Sequence, residues 1–158
     1  MSGLSILVWG FGATILLTTL LAGSQGAGLT RMNLPFMIGT IFTPNRDKAK
    51  LIGFGIHLLN GWIFAFIYAV FLQAMGGPTW WRGMIIGFAH SAFLLMALMS
   101  LLPAVHPRMA SEKRGPTATQ RLEPPGFLGL HYGYQTPLTV LLAHLLYGAV
   151  LGFFLGRF

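Results

Sequence analysis

Four apolar runs dominate this chain, and each is about as long as a helix that crosses a bilayer. They cover 4–23, 51–75, 83–102 and 136–156. A hydrocarbon slab ~30 Å thick needs about 20 residues of helix at a rise of about 1.5 Å per residue. In lipid every backbone polar group needs an internal partner, which runs of this length achieve as helices. Charge agrees. Only 8% of the 158 residues are charged, whereas a soluble domain carries about 25%. The sequence predicts an all-α, polytopic transmembrane four-helix bundle forming one domain over 1–158. The first run lacks a basic start and a small-residue cleavage site, so it reads as a retained helix and not a signal peptide.

The connections carry their own signals. Residues 36–42, Phe-Met-Ile-Gly-Thr-Ile-Phe, are too short to span and too apolar for water, which predicts a short interfacial or re-entrant segment in the first loop. Asn45 is placed to cap the second span. Gly76-Gly77-Pro78 ends that span, and Trp80 and Trp81 follow at an expected membrane–water boundary. Pro103 ends the third run. Residues 105–135 form a polar loop. Within it, 110–125 has almost no apolar pattern and is expected to be mobile. Residues 126–134 are rich in Gly and aromatics and are expected at the interface.

Basic residues set the orientation. Arg31, Arg46, Lys48, Lys50, Arg108, Lys113, Arg114 and Arg121 flank one side of the predicted spans, and Arg82 and Arg157 the other. Eight against two predicts cytoplasmic long loops and both termini on the non-cytoplasmic side. The formal charge of +7 is read as topology and contact with anionic lipid headgroups, Arg31 and Arg108 among them, and not as nucleic-acid binding.

The two halves resemble one another. Gly10-Phe11 falls on Gly87-Phe88 and Arg31-Met32 on Arg108-Met109 at one offset. His57-Leu58-Leu59 and Gly61 fall on His144-Leu145-Leu146 and Gly148 at another. This pattern suggests two parallel helix-pair repeats about an axis along the membrane normal.

At about 100° per residue, Gly53, Asn60, Gly61, Phe64 and Tyr68 all lie within roughly 60° of His57 on one helix face. Gly83, Gly87, His90 and Ala97 share a stripe on the third helix, and Pro137, His144, Tyr147 and Gly148 on the fourth. Gly148, Gly152 and Gly156 form a packing ladder, as do Gly10, Thr14, Thr18 and Ala22 on the first helix. Small and polar stripes mark faces turned toward other helices. By the helical rise, His57 and His144 are level, and His90 lies about 7–10 Å further out. One metal held by all three histidines is not expected on that basis.

The stripe admits three uses. Asn60, His90 and Tyr147 can serve as intramembrane polar contacts that seal helix packing, as in a non-catalytic subunit of a larger membrane complex or homo-oligomer. His57 and His144 can be axial ligands of haem b or hold a chlorophyll-type pigment, in electron transfer or light harvesting. His57, Asn60 and His90 can line a small-solute or proton path. His106 and His131 lie in loops and are expected to titrate freely. Enzyme chemistry finds little support. The chain has no Cys and only three carboxylates, Asp47, Glu112 and Glu123. It also has no phosphate-binding loop, serine elbow or zinc-binding His-Glu-x-x-His.

Arg31-Met32-Asn33-Leu34-Pro35, Gly39-Thr40, His57-x-x-Asn60-Gly61-x-x-Phe64-Ala65-x-x-Tyr68-Ala69 and His144-x-x-Tyr147-Gly148-x-x-x-Gly152 resemble small, uncharacterised four-helix bacterial inner-membrane proteins. The resemblance spans most of the chain. It implies the membrane fold and the bacterial inner (cytoplasmic) membrane, and it implies no activity. Asn33 stands where such proteins tend to carry Asp, so no acidic site is expected there.

Overall fold

A computed structural model describes residues 1–157. The described residues are helical wherever they are regular. In order they are α1 (Gly3–Gly26), α2 (Leu34–Phe42), α3 (Arg46–Ala74), α4 (Trp80–Phe93), a π-helical segment (Leu94–Leu98), α5 (Met99–Val105), a 3₁₀ segment (Phe127–Tyr132) and α6 (Thr136–Phe154). Four stretches, α1, α3, Trp80–Val105 and α6, are long and apolar enough to cross a membrane. The chain folds as a transmembrane helix bundle, as its apolar runs require.

Two compact units divide the chain. The first takes in Met1–Gly23, Leu58–Ser91 and the chain from Val140 onward; the second takes in Ser24–His57 and Ala92–Thr139.

In the first unit, α1, the later part of α3, α4 and α6 pack through small residues. A Cβ on Gly10 would lie 2.7 Å from Ala65 Cβ and 3.2 Å from Trp62 Cδ1, and one on Gly61 would overlap the Thr14 side chain. The Trp62 indole N–H donates to Leu7 O at 2.8 Å. On the other side, Gly83 and Gly148 lie backbone to backbone, Gly87 sits on the His144 carbonyl and Gly152 on the Thr79 carbonyl. Trp9 stacks on Phe154 at 3.7 Å between ring centres. The two seams differ in register. At the repeat offsets Ala65 falls on Gly152, yet Gly87, the counterpart of Gly10, meets His144.

The second unit is built on a short helix lying against a long one. Asn33 caps α2 by accepting the Phe36 N–H at 2.9 Å, and Pro35 supplies a preset φ at the second helical position. Gly39 lies against the Ala49 backbone, and Gly53 against the Pro35 carbonyl, so only glycine fits at either crossing. The apolar segment at 36–42 is thus a true helix, docked on the start of α3. Asn45 caps α3 as expected, accepting from Asp47 N (3.1 Å) and Lys48 N (3.0 Å).

Two expectations change. Pro103 lies inside α5 and does not end the third span. In a last turn it removes a single ladder bond, and His106 N still closes on Leu102 O at 2.8 Å. The polar stretch 110–125 was expected to be mobile, but it is tied in at both ends. Ala110 N donates to Leu122 O (2.8 Å) and Leu122 N to Arg108 O (2.9 Å), and Met109, Ala110 and Pro125 are buried. Periodicity gave no warning of this, because a two-residue bridge needs no apolar repeat.

Candidate functional site

Inside the first unit a group of aromatic and imidazole rings fills the core between α3, α4 and α6. Tyr68 and Tyr147 are each 1% exposed and meet edge to face at 5.1 Å. His90 stacks on Phe64 at 3.9 Å, and its Nδ1 lies 3.2 Å from the Tyr68 hydroxyl. His144, 3% exposed, turns its ring edge to His90 at 4.8 Å between centres. Tyr147 donates to Gly61 O at 2.7 Å. The small residue at 61 answers to the opposite neighbour, since a Cβ there would overlap the Thr14 side chain of α1.

The His144 Nδ1 lies 2.8 Å from Val140 O, one turn back on its own helix. A carbonyl only accepts, so Nδ1 carries the proton and Nε2 presents the lone pair. A ring fixed in this way is held in one tautomer by its own helix.

The depth expected for His90 is corrected. Its ring is beside that of His144, not displaced by about 7–10 Å. Helix α4 begins at Trp80, three residues before the expected start at 83. Those residues move His90 inward by about 4.5 Å. The glycine contacts of Gly83 and Gly87 then fix the register. Two residues expected to share a site fall in different units: His57 in the second and His144 in the first. His57 is 6% exposed, and its Nε2 has no hydrogen-bond partner. Asn60 is half-buried in α3, and its side chain makes no hydrogen bond within the described residues. The glycines at 148, 152 and 156 all face Pro78, Thr79 or Gly83 within the chain. Among the described residues no three metal-ligating side chains converge.

The second unit reassigns the loop residues. His106 does not lie free in solvent. It is 3% exposed, its Nδ1 accepts the Arg108 N–H at 3.1 Å, and its Nε2 lies 2.9 Å from Met37 O. It caps the end of α5 and ties it to α2. Its place just past the last apolar turn, where a histidine can meet terminal carbonyls, was the available signal. His131 is exposed and sits 3.0 Å from Pro124 O through Nδ1. Arg31 and Arg108, expected against lipid phosphate, both have partners in the chain. Arg108 Nη1 donates to Thr40 O (2.5 Å) and Ile41 O (2.9 Å), capping α2. Arg31 grips Glu123 at 2.7 and 3.1 Å and His131 O at 2.5 Å. The hydrogen bond and charge of Glu123 hold the Arg31 guanidinium above its ordinary pKa. Burial pushes the nearby Tyr132 phenol well above its usual range, and the Glu123 charge adds to this. Tyr132 donates to Glu123 O at 2.5 Å.

Fold and core together define the class, a polytopic helical membrane protein with a buried ring cluster. Comparison with protein-family models, curated proteins and solved structures gives no match.

Proposed function

We propose that this chain is a non-catalytic subunit that packs through its transmembrane helices in a homo-oligomer or larger complex of the bacterial inner membrane. The observation that carries this reading is Asn60. It is the central residue of α3 (Arg46–Ala74), it is half-buried, and its side-chain amide has no partner among the described residues. An amide left unpaired in hydrocarbon costs several kcal/mol. A neighbouring helix that pairs with it removes that cost, and such bonds contribute about 0.6–2 kcal/mol in lipid. Gly12 and Gly55 have open space beside them and allow close approach of a further helix. The ladder of Gly148, Gly152 and Gly156 gives no such support, because α6 uses it internally. Mass measurement in lipid nanodiscs tests the reading. The native chain is expected as an oligomer or with larger subunits in fixed ratio, and Asn60→Leu as a monomer. A native chain that is monomeric and free of other subunits at every lipid ratio sinks it.

A second reading, a haem or chlorophyll-type pigment on histidine, draws support from the buried, unpartnered Nε2 of His57. The absorption spectrum of protein purified in mild detergent decides it. A Soret or chlorin band lost in His57→Ala supports this reading, and colourless protein eliminates it.

A further inference from the structure

The second unit carries an open cleft of about 1100 Å³ between α2 and the segment 107–122. Three arginines line it, Arg46, Arg108 and Arg121, without a carboxylate. Arg108 is held in place by the α2 carbonyls. The Arg46 guanidinium lies over the Phe36 ring, 5.7 Å from its centre. The ion pairs formed by the described residues engage Arg31 and Lys50, so none of the three cleft arginines is ion-paired among the described residues. The hydroxyl residues Thr40 and Thr119 complete the polar lining.

A cleft lined by one sign of charge focuses its field on an anion. Guanidinium forks match the oxygens of phosphate two at a time. A cleft of this size exceeds what a bare ion needs and suits a small organic ligand, whose sites run to about 1000 Å³. Position adds a constraint. Arg46 is the first residue of an apolar span, and Ile41 and Phe42 nearby are exposed. The cleft therefore opens where a transmembrane helix begins, beside apolar side chains.

We infer that this cleft binds a phosphate ester, with Arg46 and Arg121 supplying free guanidinium groups and Arg108 a fixed one. The same chemistry serves the phosphodiester headgroup of an anionic phospholipid or a soluble phosphate monoester. The site does not depend on the packing role of Asn60.

Native mass spectrometry of the full chain in mild detergent, titrated separately with phosphatidylglycerol, phosphatidylcholine and glycerol 3-phosphate, tests this. The comparison is between the native chain, Arg46→Gln/Arg121→Gln, and a control, Lys48→Gln/Lys113→Gln, which loses the same charge outside the cleft. Loss of charge-assisted hydrogen bonds is expected to weaken binding about tenfold or more in the cleft variant, and about twofold or less in the control. If phosphatidylglycerol gives this pattern, the ligand is a lipid; if glycerol 3-phosphate gives it, a soluble ester. Either result supports the site. Equal weakening in the control, no preference over phosphatidylcholine together with no binding of glycerol 3-phosphate, or no binding of any probe overturns it. Arg121→Gln alone, on an exposed side chain, supplies the same comparison if the double variant fails to fold.

Discussion

Tyr147 concentrates the chemistry of the buried core in one side chain. Its ring is 1% exposed, it meets Tyr68 edge to face, and its hydroxyl ends on Gly61 O. The ring and the hydroxyl are worth different amounts. Gly61 lies mid-helix in α3, so its carbonyl keeps its ladder partner when the phenol is removed. Tyr147→Phe should therefore cost only about 1 kcal/mol, while Tyr147→Ala should cost about 3–5 kcal/mol through the cavity it leaves. Unfolding in mild detergent measures both. Equal losses for the two variants would mean that the hydroxyl, and not packing, is what the core depends on. The sequence made His57, His144 and Tyr147 visible because polar residues inside apolar runs stand out. It did not show that His144 would turn to His90, since ring contacts depend on helix register to within a turn. The burial of His106 left only one signal, its place just past the last apolar turn. Its partners are the backbone atoms Met37 O and Arg108 N and the Thr40 hydroxyl, 66 residues away in sequence, and none of them is marked by spacing from His106.

At the scale of elements, glycine has opposite meanings at different positions on these helices. A Cβ at Gly83 or Gly148 would run into the backbone of the facing helix, so α4 and α6 would have to separate. At Gly12 and Gly55 a Cβ meets nothing within 4 Å. The sign of a Gly→Ala change should follow. Gly83→Ala and Gly148→Ala should lose about 1–3 kcal/mol or more by overpacking. Gly12→Ala in the monomeric chain should gain about 0.5–1 kcal/mol from helix propensity. Thermal unfolding of the three variants side by side checks the contrast, and stabilisation by Gly83→Ala would refute the seam. The sequence showed both glycine ladders but not their targets. Gly10, Thr14 and Gly148 lie on stripes that invite a partner, and only the fold shows that each partner is a helix of the same chain. Helix α2 was half visible: its apolar character marked an interfacial segment, while its docking through Gly39 and Gly53 rests on two glycines far apart in sequence.

At the scale of the whole molecule, the distribution of charge predicts how the chain lies across its membrane. Eight basic residues border one side of the spans and two the other, a difference large enough to orient a four-span chain. Some of these cations also have structural tasks, as Arg31 does with Glu123 and Arg108 with α2. Either task leaves their positive charge on the same side, so fold and topology do not compete. The absence of cysteine makes the prediction directly measurable, because any introduced thiol is the only one. Ser2→Cys should react with a membrane-impermeant maleimide in intact cells. Glu112→Cys, in the long polar loop, should react only after the membrane is opened; the change leaves the count of Lys and Arg, which sets the bias, untouched. The reverse pattern would place the arginine-lined cleft on the outer face. Its anion would then have to come from the extracytoplasmic leaflet or medium, since Arg46, Arg108 and Arg121 all belong to the side that carries the eight.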